Sequence, residues 1–379
     1  MRSELVQLSI RAGRGISRDQ RDEKCEAFRI GSRTTIMKKF IIKLLAFALV
    51  LTAILAPVNM IIDPYNIFHY DDPVDNGVEP NKNFIKTKYI LHNQDKFDSL
   101  VFGSSRAGFL DVSTIPDGRY YDMCYSEGVP AEHVNTLKVL IKGGFVPKNV
   151  LVLVDDISCF VDPAMHENML YRVPYPTGGP ISWVQFYAKY CDLITTFDSL
   201  SVMKEYRETK TPDPDFAARF RETGTERLDK PSTFDGTDGQ GHEMPGYAAD
   251  YYSLRLPEAV DDMRELADLC NEHGISLKVV TNPLYHKTYE VACENGYLEY
   301  LYELAGVCDF VNFSSISNVT TTCSNYYETS HFTPYVGWAM IEIAYNGYED
   351  EVLREQGFGY QVNAGNRDEF IRLLKDQLK

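Results

Sequence analysis

The sequence has no Cys-x-x-Cys pair and no cluster of cysteine and histidine at the spacing of metal ligands, although it contains 8 cysteines. It therefore gives no support for a zinc site, and we expect neither a metal nor a cofactor. Cys25 lies near the start of the chain and the other cysteines are scattered, so their spacing does not reveal a disulfide pairing. We expect most of them to be buried thiols.

Positive charge is also scarce. The 54 acidic residues outnumber the 38 lysines and arginines, which gives a formal net charge of −16, and the acidic excess lies beyond residue 62. Such a surface repels nucleic acids and anionic lipids, so we expect no nucleic-acid partner. The chain also lacks internal repeats and long low-complexity tracts, and its 44% of apolar residues is enough for a packed globular core.

One long apolar run is present at 44–62, with the sequence LLAFALVLTAILAPVNMII. It is long enough to cross a bilayer, and the lysines that precede it place the following residues outside the cytoplasm by the positive-inside rule. We therefore predict a single-pass anchor at 37–62, localisation to the cell membrane and an extracytoplasmic domain. A cleaved signal peptide is the alternative, but no clear small-x-small cleavage site follows the apolar core.

The segments on either side of this anchor are more polar than the anchor. Residues 1–36 are mixed in charge, and Met37 begins a stretch typical of a true start. An over-extended gene model and a short disordered tail are therefore both open interpretations of this leader. Residues 63–96 are rich in Asp, Asn and Pro, which predicts an irregular linker, with a helix over 81–92 that docks on the domain.

From residue 97 onwards, apolar runs alternate with helical patterns, as in right-handed βαβ crossovers. We predict strands at 99–102, 119–123, 149–154, 275–281 and 309–312, and helices at 132–142, 257–273, 289–305, 334–345 and 367–378. This pattern predicts an α/β fold, a three-layer sandwich with a mainly parallel sheet. The alternation breaks at 157–252, where we predict an inserted cap region within the domain 97–379.

The stretch LVFGSSRAGFL at 100–110 is the first candidate site. A strand that ends in Gly-Ser-Ser places a hydroxyl at the carboxyl edge of the sheet, where backbone N–H groups favour developing negative charge. An ordinary turn with a serine cap is the alternative. Downstream, YETSHF at 327–332 contains what a serine nucleophile requires, namely His331 as a base and Glu328 as a carboxylate to orient it.

These two blocks resemble the SGNH (GDSL-like) hydrolase superfamily, in which a serine follows the first strand and Asp-x-x-His closes the domain. The GSSR form at 103–106 and the HF-x-P-x-x-G form at 331–337 are similar to its membrane-anchored extracytoplasmic branch. That branch includes the D-alanyl lipoteichoic acid transfer protein and the alginate acetylation proteins. The resemblance implies Ser105 as nucleophile, His331 as base and Glu328 at the acidic position usually held by Asp. It is specific at these two end blocks.

The resemblance also implies donors for an oxyanion. Gly128 stands where the second-block glycine would, with an ordinary turn glycine as the alternative. Asp155 and Asp156 occupy the place of the third-block asparagine, and a carboxylate cannot donate unless it is protonated. Arg106 could compensate as a donor, or could form an ion pair or orient the substrate. Asn282, at the end of the fourth strand, is a further candidate that could contact the substrate.

The activity that the resemblance implies is a serine esterase or O-acyltransferase, acting on a cell-envelope or exported polysaccharide through a Ser105 acyl-enzyme. An acetyl group is the expected acyl group, and the implied partners are a carbohydrate substrate and a membrane-bound O-acyltransferase. The alternative is a catalytically inactive, membrane-tethered glycan-binding or assembly protein of the same fold. Glutamate at position 328 and the missing asparagine leave that alternative open.

Overall fold

The structure, a computed structural model, describes residues 18–166, 169–191, 193–248 and 253–379. The chain divides into two units, one ending at Ile61 and the other formed by Ile62–Lys379. Helix α1 extends over Arg18–Ile62. Its portion Ile36–Ile62 is long and apolar enough to cross a membrane, and the anchor predicted at 37–62 falls within it. Part of the predicted leader lies outside the described residues.

The second unit is an α/β fold, as predicted, and its sheet has six strands, one more than the five predicted. In chain order its strands are β1 (Ser99–Phe102), β2 (Tyr120–Asp122), β3 (Asn149–Val154), β4 (Ser276–Thr281), β5 (Phe310–Asn312) and β6 (Tyr360–Val362). Their spatial order is β2-β1-β3-β4-β5-β6. The first five are parallel, and β6 is antiparallel to β5. The strand order reverses beside β1, and the crevice outside the carboxyl ends at such a switch point is where α/β sheets bind ligands.

The helices of this unit follow the predicted alternation closely. They are α2 (Lys82–His92), α3 (Pro130–Lys142), α4 (Asp156–Phe160), α5 (Pro180–Lys189), α6 (Leu193–Thr209), α7 (Phe216–Glu222), α8 (Leu256–Glu272), α9 (His286–Glu294), α10 (Tyr297–Leu304), α11 (Pro334–Tyr345), α12 (Glu351–Glu355) and α13 (Arg367–Gln377). Helices α9 and α10 correct the single helix predicted at 289–305. Gly296 separates them because its φ of +107° favours glycine and ends the regular helix.

Both faces of the sheet are buried in apolar layers. Leu100 and Phe102 of β1 belong to one cluster with residues of α2, α3, α8 and α10. Val101, which points to the other face, belongs to a second cluster with Met340 and Ile341 of α11. This alternation is the two-residue period of a strand covered on both sides, and it explains why β1 and β3 have no polar residue at their centres.

The segment predicted as a linker packs into the second unit. Asp63 is buried, and its carboxylate accepts the backbone N–H groups of Ile67, Phe68 and His69 at 2.7–2.8 Å. Helix α2 buries Phe84 on the core. Residues 63–81 contain neither helix nor strand, as expected of an irregular segment, but they pack into the second unit, and the helix predicted at 81–92 is confirmed.

The segment at 157–252 contains several short helices and no strand among its described residues. Its aromatic side chains pack around Phe84, with ring centroids 4.3 Å away for Phe186 and 5.5 Å for Tyr175. Trp183 and Tyr187 join the same group. These aromatic residues hold the segment against α2, because aromatic pairs at such distances add to the stabilisation from burial.

Candidate active site

Ser105 lies directly beyond the carboxyl end of β1. The chain leaves the buried strand through Gly103 and an extended Ser104, and Ser105 then begins a short 3₁₀ helix over Ser105–Phe109. A Cβ at Gly103 would lie 2.8 Å from the Cβ of Ala107, so the close packing of this turn requires glycine. A 3₁₀ turn thus follows the strand, and it leaves the Ser105 side chain half-buried.

The structure brings Ser105 and His331 together across 226 positions of sequence. The Ser105 Oγ hydroxyl lies 2.8 Å from His331 Nε2, and His331 Nδ1 lies 2.5 Å from Glu328 Oε1. Because an ionised carboxylate only accepts hydrogen bonds, the neutral imidazole carries its proton on Nδ1. Nε2 is then free to accept the proton of Ser105, which is the arrangement required to activate a serine.

The loop of Glu328 and His331 is held by its own hydrogen bonds. The backbone N–H of Ser330 donates to Glu328 Oε2 at 2.6 Å, and that of His331 donates to Oε1 at 2.9 Å. Burial alone would raise the pKa of Glu328, but the hydrogen bond and charge of His331 and these backbone donors lower it below its usual value. Glu328 is therefore ionised at neutral pH and can stabilise a protonated His331.

Arg106 joins the nucleophile turn to the His331 loop. Its side chain is fully buried, and its Nε donates to the carbonyl of Ser330 at 3.0 Å. Its Nη1 lies 2.8 Å from Asp155 and 2.5 Å from Asp156. Of the roles considered from the sequence, the structure shows the ion pair. A buried guanidinium held by two carboxylates cannot act as an exposed donor, so it positions the loops instead.

Asp155 and Asn282 form the floor beneath this turn. Both are fully buried at the carboxyl ends of β3 and β4. Asp155 Oδ2 accepts the hydroxyl of Ser104 at 2.7 Å and the amide of Asn282 at 2.9 Å. The sequence placed both residues at the correct edge of the sheet, but their side chains bind each other and the nucleophile turn. They therefore support Ser105 from below, and neither side chain is exposed at the surface.

Gly128 lies against the nucleophile turn. A Cβ at this position would come within 2.7 Å of the Gly103 carbonyl and 2.9 Å of a His133 ring carbon. The N–H of Gly128, however, donates to the carbonyl of Tyr125 at 3.1 Å within a turn. This is the alternative expected for a turn glycine, and it leaves the Ser105 N–H, at the first position of the 3₁₀ helix, as the remaining candidate donor.

An ion pair that sequence reasoning missed lies beside the candidate triad. Lys82 of α2 pairs with the carboxylate of Glu226, and the N–H of Glu226 donates to the Gly108 carbonyl at 2.9 Å. Burial would raise the pKa of Glu226, but the charges of Lys82 and, more weakly, His331 lower it. The two partners are 144 positions apart, so no local pattern could have paired them.

The described residues contain no group of three or more His, Cys, Asp or Glu side chains that could hold a metal ion. Seven cysteines are free thiols, and Cys124, Cys159 and Cys270 among them are buried. Burial raises the pKa of Cys270 to about 12, so this thiol stays protonated and unreactive at neutral pH.

The chain was compared with protein-family models and with curated proteins. No family model matches the chain, and no curated protein matches it.

Proposed function

We propose that this chain is a membrane-anchored, extracytoplasmic serine O-acyltransferase or esterase with an SGNH-like domain. The single observation that carries the proposal is the continuous hydrogen-bonded series from Ser105 through His331 to the ionised Glu328. Its position beyond the carboxyl end of β1, next to the switch point of the sheet, supports a substrate site there. The GSSR and HF-x-P-x-x-G blocks support the same family assignment.

The first half-reaction forms an acyl-enzyme. Ser105 Oγ attacks the carbonyl carbon of an acyl ester while His331 Nε2 takes the hydroxyl proton. The oxyanion of the tetrahedral intermediate is stabilised by the Ser105 N–H. When the intermediate collapses, the bond to the leaving oxygen breaks, His331 returns the proton to that oxygen, and the acyl group remains on Ser105. Glu328 stabilises the imidazolium between these two transfers.

The second half-reaction removes the acyl group. His331 takes a proton from water or from a sugar hydroxyl, and the resulting oxygen attacks the acyl-Ser105 carbonyl. Collapse of this second intermediate expels Ser105 Oγ, which recovers its proton from His331. Water makes the protein an esterase, and a sugar hydroxyl makes it a transferase. The resemblance to envelope-modifying proteins favours an acetyl group, a polysaccharide acceptor and a membrane-bound O-acyltransferase as the source of the acyl group.

Two exposed aromatic side chains support a carbohydrate substrate. Tyr335 and Trp338 follow His331 on the first turns of α11, and their side chains are 69% and 50% exposed. Their rings stack with centroids 6.3 Å apart and planes within 27° of each other. An exposed pair of flat apolar rings offers a surface on which sugar rings can stack. The segment 157–252, which brings Glu226 to the site, is proposed as the cap.

Product analysis tests this proposal. The full chain would be incubated with an activated acetyl ester, with and without a neutral oligosaccharide, beside a Ser105→Ala control. We expect acetate release that depends on Ser105, and a transferase would form acetylated oligosaccharide at the expense of acetate. Turnover that persists in Ser105→Ala would contradict the proposed nucleophile.

A membrane-tethered glycan-binding protein without catalysis is the second candidate. The observation that favours it is that two of the candidate donors already have protein partners, Gly128 in the Tyr125 carbonyl and Asn282 in the Asp155 carboxylate. Glycan binding by wild type and Ser105→Ala alike, with no turnover by either, would support this candidate over the enzyme.

A further inference from the structure

The helices α5 and α6 carry large apolar side chains on their outer surfaces. Ile181 and Val184 of α5 are 76% and 69% exposed, and Phe197 of α6 is 65% exposed. Leu200 is exposed on α6 as well. Leaving such side chains in water is unfavourable, and an exposed apolar patch of this kind marks an interaction surface.

The outer positions are distinct from the positions that pack on the domain. On α5, Phe186 and Tyr190 are buried, and the helical period puts Ile181 and Val184 on the opposite side of the helix. On α6, Ser199 is buried, and Phe197 lies on the opposite side in the same way. Each helix therefore has one face held by the protein and an exposed face that carries these apolar side chains, mixed on α6 with the exposed Ser201 and Lys204.

These helices pack on the first residues after the predicted membrane span. The ring of Tyr65 contacts that of Tyr190 at 5.7 Å, and its hydroxyl is hydrogen-bonded to Ser199 of α6. The ring of Phe68 stacks on Tyr187 of α5 at 5.4 Å. Three extended residues reach at most about 11 Å, so Tyr65 lies within that distance of Ile62, where the span ends.

We propose that the outer faces of α5 and α6 rest on the lipid bilayer and insert Ile181, Val184 and Phe197 into its interfacial region. The occupant is lipid because covalent connection keeps these helices near the point at which the chain leaves the bilayer. Their exposed charges are of both signs, including Lys189, Lys204 and Asp198. Attachment therefore depends on apolar contact and does not require anionic lipid.

This contact would hold the folded unit close to the membrane instead of leaving it free on a tether. It rests on the predicted anchor and is independent of the chemistry at Ser105. A protein partner or a second copy of the chain would also cover an apolar face. Quenching by brominated lipid distinguishes lipid from both, because only lipid brings bromine to that face.

Tryptophan fluorescence tests the proposal, because the chain has only 2 tryptophans. Ile181→Trp would be placed in a full-length Trp183→Phe/Trp338→Phe background and reconstituted into phosphatidylcholine vesicles with or without brominated acyl chains. Val352→Trp is the matched control, because Val352 is 58% exposed on α12. Flotation of the control with the vesicles verifies that the anchor is inserted.

We expect brominated lipid to quench Trp at position 181 and its emission to shift to shorter wavelength, whereas Trp at position 352 keeps its emission. Quenching at neither position would overturn the proposal, since a face covered by protein is shielded from bromine. Equal quenching at both positions would also overturn it, because the contact with lipid would then not be specific to α5. If the background variant does not fold, Ile181→Trp would be placed in Trp338→Phe alone, and the emission of the inward-packed Trp183 would be subtracted with the Trp338→Phe single variant. Absence of additional quenching from position 181 would then overturn the proposal.

Discussion

Glu328→Gln tests the candidate triad with little change in side-chain shape. The two carboxylate oxygens of Glu328 accept three hydrogen bonds, from His331 Nδ1 and from the N–H groups of Ser330 and His331. Glutamine has one oxygen and one NH₂ group, so one of these sites would oppose donor to donor. With the NH₂ group facing His331, the imidazole proton moves to Nε2, which can then no longer accept the Ser105 proton.

The size of the effect follows from the interactions lost. A hydrogen bond to a charged group contributes about 1.5–3 kcal/mol, and about 1.36 kcal/mol corresponds to a tenfold change in rate. The Glu328 side chain is 40% exposed, so water screens its charge and favours the lower part of this range. We therefore expect kcat/KM to fall about 10- to 100-fold.

The assay is hydrolysis of an activated acetyl ester by the purified full chain. Glu272→Gln, at an exposed position at the end of α8, is the matched control and should retain the wild-type rate. Circular dichroism would verify that both variants are folded. A Glu328→Gln rate within twofold of wild type would refute the assignment of Glu328 as the residue that orients His331.

The other predictions concern the base, the buried arginine, the pH dependence of stability and the topology. His331→Ala should lower kcat by about 10²- to 10⁴-fold while the fold persists, and retained activity would exclude His331 as the base. Arg106→Met leaves two buried carboxylates unpaired and should reduce the free energy of unfolding by about 3–5 kcal/mol in urea denaturation; an unchanged midpoint would contradict the ion-pair network. The folded structure lowers the pKa of Glu328 below its usual value of 4.5, so its ionised carboxylate stabilises the protein above pH 4.5, and this contribution is lost as the pH falls through the folded pKa. Thermal stability should therefore fall less steeply with acid in Glu328→Gln than in wild type, and parallel curves would contradict this. Protease added outside intact cells should digest the domain 97–379, and full protection would contradict the predicted topology.

The central strands could be predicted because their signal is local. Strands β1 and β3 are continuous apolar runs, and the observed bounds Ser99–Phe102 and Asn149–Val154 equal the predicted ones. The single helix predicted at 289–305 was wrong because its apolar spacing continues across Gly296, and the backbone conformation there is not visible in a hydropathy pattern. Strand β6 has only three residues and depends on its pairing with β5, so no local pattern indicated it.

The candidate site likewise combines features that are local in the sequence with contacts that depend on the fold. Chemistry within a short stretch, such as Glu328 and His331, was recognised from residue type and spacing. The partners of Arg106 lie 50 and 224 positions away, and those of Asn282 and Lys82 are comparably distant. Such contacts arise from the fold, so the sequence could place Arg106 beside the nucleophile but could not decide between an exposed donor and a buried ion pair.

Labelling with a fluorophosphonate probe tests directly whether Ser105 is an activated nucleophile, because the probe reacts covalently with an activated serine. Wild type would be compared with Ser105→Ala and with Ser104→Ala, whose hydroxyl is buried and bonded to Asp155. We expect the label to be present in wild type and Ser104→Ala and to be lost in Ser105→Ala. A folded wild-type protein that takes no label, or a label that persists in Ser105→Ala, would contradict it.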